Sequence, residues 1–164
     1  MENKSGIFLK VAKMLSDHGI TFSGKDDQRP WGGFYVVNEA DIIAFVKLFF
    51  HQMDLNDLDN SVKLSPKILI VAPHARLSWQ YHHRRSELWS CLEGPVSVMT
   101  SDDNIERHPH KLLAKDVIRL KREERHRLIG LDGWGIVAEI WQHTDENNLS
   151  DEEDIVRIQD DYGR

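Results

Sequence analysis

The chain carries a single cysteine, Cys91, so no disulfide can close within it, and that residue sits in the apolar, strand-like run SELWSCLEG. A lone thiol with no partner base reads as core filler and not as a nucleophile, and it fits a reduced, cytoplasmic setting. Positive charge is in deficit, with 21 Lys and Arg against 27 Asp and Glu. Binding along a phosphate backbone needs a net basic face, so nucleic acid is excluded as the main partner. No stretch approaches the roughly 18 consecutive apolar residues of a membrane span. Near the start, Glu2, Lys4, Lys10 and Lys13 interrupt any signal-peptide core, so no membrane association is expected. Internal repeats are absent, and low complexity is confined to the acidic stretch HTDENNLSDEED, which reads as a solvated face.

What remains is an ordinary globular composition: 164 residues, 40% hydrophobic and 29% charged, enough for one domain with a sizeable core. Ser5 to His18 has apolar residues at Ile7, Val11, Met14 and Leu15, which predicts a helix capped by Ser5 and stopped by Gly19. A second helix is expected over Asn38 to Gln52. Its phenylalanines, Phe45, Phe49 and Phe50, with Leu48, give it more apolar area than one face hides, so it reads either as a packing element or as a dimer surface. From Lys67 onward the pattern is short strands: Lys67 to Ala72, Leu77 to His82, Glu87 to Leu92, Val96 to Ser101, Val117 to Leu120 and Ile136 to Gln142. Turn residues separate them, which suggests an all-β, double-sheet jelly roll.

Chemistry concentrates in Pro73 to Gly94, PHARLSWQYHHRRSELWSCLEG. Alternation along a strand points Gln80 and His82 the same way, and Glu87 lies on a returning strand beyond an expected Arg84-Arg85-Ser86 turn. These three can converge as metal ligands, and His126, entering a strand in KREERHRLIG, is the candidate fourth. Two imidazoles with two oxygen donors and no thiolate suit zinc first, then manganese, iron, cobalt or nickel. His83 faces away from this set, while His108 and His110 flank Pro109 in an apparent loop and read as surface residues. Arg125 and Arg127 flank His126 on the opposite face, as surface charge.

Pro73 to Gly94 resembles the first cupin motif, in the form found in type II phosphomannose isomerases. RPWGGFYVV at Arg29 to Val37, EIWQ at Glu139 to Gln142 and EEDIVRIQDDYGR at Glu153 to Arg164 resemble other stretches of that family in the same order. The resemblance implies a cupin double-stranded β-helix over 29–164, preceded by a helical arm over 1–28. While the second helix has no counterpart in the family and so reads as a helical insertion at about 38–60, the resemblance also implies a closing C-terminal segment. It further implies a divalent metal at Gln80, His82, Glu87 and His126, and aldose-ketose isomerisation of a phosphorylated sugar, mannose 6-phosphate to fructose 6-phosphate. Glu139 would then serve as the base or as a partner to Lys67; Lys67, Arg76 and Arg84 would contact the substrate anion, and a homodimer is expected. A non-catalytic sugar-binding cupin, an epimerase and a dioxygenase stay open as alternatives. Three departures stand out. Arg84 replaces a histidine of the family's run, His74 replaces a glycine, and LKREERH lacks the usual Pro and Gly before His126.

Overall fold

LSPKILIV at residues 64–71 is apolar on both parities, the pattern of a strand covered on both faces. The computed structural model, which describes residues 1–58 and 62–164, shows how it is covered. In chain order the elements are α1 (Lys4–Asp17), β1 (Phe22–Asp26), β2 (Gly32–Val37), α2 (Ile42–Phe49), β3 (Leu64–Val71), β4 (Trp79–Tyr81) and β5 (Arg85–Glu93). They continue as β6 (Val96–Ser101), β7 (His110–Leu112), β8 (Val117–Leu120), β9 (Arg125–Gly130), β10 (Gly135–His143) and β11 (Val156–Gln159). One sheet runs β1-β2-β3-β10-β5-β8 and the other β11-β4-β9-β6-β7, with antiparallel pairing throughout. This is the all-β jelly roll expected from the strand pattern.

The larger sheet separates two cores. On its outer face Ile68 and Ile70 of β3, Leu88 of β5 and Ile136, Ala138 and Ile140 of β10 meet both helices. On its inner face Leu69, Val71, Trp89, Cys91 and Val137 meet Val96, Val98, Leu112 and Leu128 from the smaller sheet. Cys91 is therefore the core filler that its setting suggests. Gly32, at φ +140°, lets β2 lie against β3, since a Cβ there would fall 1.9 Å from the Ile70 carbonyl oxygen.

Local details differ from the sequence expectation for physical reasons. Helix α1 begins one residue early because Asn3, and not Ser5, is the cap, its Oδ1 accepting from the Gly6 amide at 2.8 Å. Asn38 does not cap the second helix; its amide donates to Thr21 Oγ1 at 2.6 Å, and a short 3-10 turn at Glu39–Asp41 precedes α2. Phe45, Phe49 and Phe50 are all buried within the chain against α1 and the sheet. The apolar area that suggested a dimer surface is thus covered internally, with Ile43 left half exposed. The far end of the expected insertion, about residue 60, lies outside the described residues.

Arg127 is a clear correction. Expected at the surface, it is fully buried, donating to the Leu77 carbonyl at 2.8 Å, to Glu106 at 2.8 Å and to the Gln159 carbonyl at 3.1 Å. It does face away from His126, but the 103–108 loop and β11 cover that face. A guanidinium with this many acceptors ties β9, the loop and the C-terminal segment together. No helix among the described residues is long and apolar enough to cross a membrane.

Candidate metal centre and cavity

Three strands bring the candidate ligands together. Gln80 of β4 stands opposite His126 of β9, and His82 follows β4 directly. Glu87 reaches the same inner face from β5, where it stands opposite Trp141 of β10. His82 Nε2 lies 3.2 Å from His126 Nε2 and 3.2 Å from Glu87 Oε1, and His126 Nε2 lies 3.6 Å from Glu87 Oε2. All three side chains are buried.

The second nitrogen of each imidazole settles what the first one offers. His82 Nδ1 is 2.7 Å from the Asp154 carbonyl oxygen and His126 Nδ1 is 2.9 Å from the Glu124 carbonyl oxygen. A carbonyl only accepts, so each Nδ1 carries the proton and each Nε2 presents a lone pair. Burial pushes the His82 pKa down to about 3, so its ring is neutral near pH 7. Burial works against ionisation of Glu87, but the surrounding electropositive groups, Arg85 above all through its 2.8 Å hydrogen bond, outweigh it and hold the pKa low. Of these Arg85 is permanently charged, so the carboxylate stays ionised. Among the described residues Glu87 Oε2 has no hydrogen-bond partner although it is buried. Two lone pairs and an orphaned carboxylate oxygen, within 4.8 Å of one another, form a donor set that fits a divalent cation. Gln80 joins them, its amide 3.4 Å from His82 Nε2 and its Oε1 accepting from Ser78 Oγ at 2.5 Å. Exchanging the two ends of that amide would turn the oxygen toward the cluster.

Arg85 is the residue that sequence patterning passed over. The turn occupies His83 and Arg84, one position earlier than expected, and β5 begins at Arg85. Arg85 therefore shares the inner face with Glu87. Its Nε donates to Glu87 Oε1 at 2.8 Å, its Nη2 lies 3.2 Å from His82 Nε2, and its guanidinium stacks 3.6 Å above the Trp141 ring.

Beside the cluster is a cavity of about 80 Å³, walled in part by Lys67, Gln80, Arg85, Glu87, Trp89, Glu139 and Trp141. Glu139 accepts from Trp89 Nε1 at 2.7 Å on one oxygen and from Trp141 Nε1 at 2.8 Å on the other. Burial, and then the negative charge of Glu87, push its pKa up to about 8. Lys67 is paired with Glu152, not with Glu139, and lies 3.9 Å over the Trp141 ring. Arg76 and Arg84 are not brought to the cavity. Arg76 donates twice to Asp161, at 2.8 and 2.7 Å, and Arg84 turns to Asp151 at 3.3 Å. His83, His108 and His110 are exposed, as expected.

Two antiparallel sheets enclosing a His-Glu-His cluster on their inner face define a cupin. Within that class the chain belongs to the mannose-6-phosphate isomerase C-terminal family, whose model matches residues 45–160. Among solved structures it is similar to the capsular polysaccharide assembling protein CapF of Staphylococcus aureus, at 12% identity and TM-score 0.56, over 85% of this chain and 34% of that one. It is also similar to oxalate decarboxylase of Lactobacillus farciminis, at 14% identity and TM-score 0.54, over 82% and 33%. A third is vicilin of hazelnut, Corylus avellana, at 14% and 0.54, over 78% and 34%. The likeness is one of fold, and the chain spans about a third of the length of each. No curated protein matches the chain.

Proposed function

We propose that the chain is a metal-dependent aldose-ketose isomerase acting on a phosphorylated sugar, interconverting mannose 6-phosphate and fructose 6-phosphate. One observation carries the reading: a cation-ready donor set lies on the same inner face as a buried carboxyl, Glu139, held at both oxygens by indole N–H groups. His82, Glu87 and His126, with Gln80, would hold the metal, which when bound supplies an electrophile for the carbonyl and hydroxyl oxygens of the sugar. Glu139 takes the proton from C2 and returns it to C1, the pair of electrons passing through an enediol. The two indoles fix its orientation, and a pKa raised to about 8 makes its ionised form a stronger base than an ordinary carboxylate, most populated above that pH. Lys67 donates to the substrate oxygens once its pairing with the exposed Glu152 opens. Arg85 holds Glu87 in place.

The cavity beside the cluster is narrow, about 80 Å³, which also suits a second reading, a non-catalytic cupin that binds a smaller molecule. Metal content of the wild type beside His82→Ala and His126→Ala, followed by the isomerase assay on metal-loaded protein, separates the two. Metal lost in both variants with turnover in the wild type upholds the isomerase. Metal without turnover favours the binding protein, and no metal under any loading removes the constellation.

A further inference from the structure

The cavity mouth carries more positive charge than its carboxylates neutralise, and the excess comes from residues far apart in the chain. Arg29, from the segment before β2, and Arg157 and Arg164, from the C-terminal segment, all line it. Arg29 uses its Nε on Asp26 at 2.8 Å, and its two terminal nitrogens make no hydrogen bond among the described residues. Arg164 is held by Asp160 through Nε at 2.9 Å and Nη2 at 3.1 Å. The Arg157 side chain, exposed at the mouth, has neither an ion pair nor a hydrogen bond among the described residues. Burial first, and then Arg164 and Arg29, depress its pKa while Asp160 and Glu152 oppose the shift, as expected of guanidinium groups crowded together. Two aspartates hold two of the arginines, and the third is in surplus.

Register fixes where that surplus points. Arg157 of β11 stands directly opposite Gln80 of β4, which stands opposite His126 of β9. Cross-strand partners share a face, so Arg157 projects to the same inner side as the metal-ligand candidates. It lies two strand spacings, about 10 Å, from the backbone of His126. The reacting carbons and the phosphate of an open-chain hexose 6-phosphate are likewise at opposite ends of an extended molecule.

We propose that Arg29, Arg157 and Arg164 form the seat for the substrate's phosphate at the cavity mouth, leaving the carbonyl end to reach Glu139 and the His-Glu-His cluster. The assignment rests on the isomerase reading and replaces Arg76 and Arg84 as the anion contacts, since those two are committed to Asp161 and Asp151 outside the lining. Guanidinium is suited to this task because it offers paired N–H donors to phosphate oxygens. Asp26 and Asp160 hold two of the three groups from behind and so reduce the ordering needed on binding.

The test uses inorganic phosphate as the probe, titrated calorimetrically into the metal-free full chain at low ionic strength. Wild-type protein is expected to bind it, and Arg157→Gln to weaken the affinity roughly tenfold, with a further loss in the Arg157→Gln, Arg164→Gln double variant. Lys13→Gln, which removes the same charge from an exposed site on α1, is expected to change nothing. Arg157→Lys should recover part of the affinity, which guards against reading a folding defect as lost binding. With metal loaded, Arg157→Gln should raise KM for mannose 6-phosphate about tenfold at nearly constant kcat. Phosphate affinity equal in the wild type and the double variant overturns the seat, as does no phosphate binding at all. Phosphate held through these arginines without turnover of the sugar phosphate upholds the seat and removes the isomerase reading alone.

Discussion

Arg85 and a bound cation want the same lone pair. The guanidinium Nη2 lies 3.2 Å from His82 Nε2, so a metal entering the cluster takes that nitrogen over and leaves Arg85 on Glu87, Ser150 and Trp141. Two positive groups a few ångströms apart in a buried site repel by some kcal/mol even at an effective dielectric constant near 20. Arg85→Gln should therefore tighten metal binding, by roughly tenfold, while lowering turnover because Glu87 loses the group that fixes it. Competition with a chromophoric chelator beside the isomerase assay reads both, and weaker metal binding in this variant would mean that Arg85 organises the ligands more than it repels the ion. Cys91 gives a second residue-scale expectation. Burial pushes its thiol up to about 11, from an ordinary 9.0, so the folded protein should resist thiol reagents at pH 8 and react on unfolding. The unfolded thiol ionises from about pH 9 while the folded one stays neutral to about 11. Stability attributable to this group should then fall as pH rises through that window, by on the order of 1 kcal/mol per unit. Denaturant midpoints of the wild type and Cys91→Ala across pH 8.5 to 10.5 check it, and parallel curves would refute it.

Between β8 and β9 the turn Lys121 to Glu124 lacks the proline and glycine that the family resemblance implies, and other residues set its bend. Glu123 adopts φ +65°, the left-handed conformation a glycine would take, and His74 does the same at φ +58° where a glycine was also expected. The Glu123 amide donates to the His82 carbonyl at 2.9 Å and the Lys121 amide to Glu124 Oε1 at 2.9 Å, so the turn that presents His126 is pinned to the strand that presents His82. A side chain in that conformation costs about 1–2 kcal/mol, partly offset by the freedom glycine has when unfolded. Glu123→Gly should therefore stabilise the fold by about 0.5–1 kcal/mol and leave metal content unchanged. A clear loss of stability in chemical denaturation would show that the Glu123 side chain holds the turn instead. Period-two patterning was enough to read β6 and β8 to the residue, and to put Gln80, His82 and Glu87 on one face. An expected turn that took in Arg85 and Ser86 was enough to hide Arg85, because β5 in fact begins at Arg85, two residues before Glu87 and on the same face. Arg127 shows a different limit. Alternation gives the face a side chain takes but not what covers that face, and here the cover comes from Glu106 and Gln159, brought in by tertiary pairing. Arg157 was beyond reach for the same reason, since its inward aim depends on β11 pairing with β4.

At the scale of the molecule, the ligand cluster is where both sheets and the chain's end meet. Glu87 comes from the larger sheet and His126 from the smaller. His82 is fastened to the C-terminal segment through Asp154, whose carbonyl takes its Nδ1–H and whose carboxylate accepts the His83 and Arg84 amides at 3.0 Å each. Ser150 Oγ donates to the same carboxylate at 2.6 Å. A cation bound to the folded cluster and not to the separated strands must stabilise this junction by mass action, about 2.7 kcal/mol at a free concentration 100 times Kd. For a chain of this length that corresponds to a rise in Tm of roughly 5–10 °C. The shift should vanish in His82→Ala and His126→Ala, because either loss breaks the convergence of the sheets on the ion. Asp154→Asn should keep a reduced shift, since the backbone carbonyl that orients His82 remains while the carboxylate that anchors the loop loses its charge. Differential scanning calorimetry with zinc, manganese, iron, cobalt and nickel in turn would also rank the ions by their effect. An equal shift in the wild type and both histidine variants would place the stabilising ion elsewhere on the surface, and the junction would then be held by Arg85, Asp154 and Arg127 without a metal.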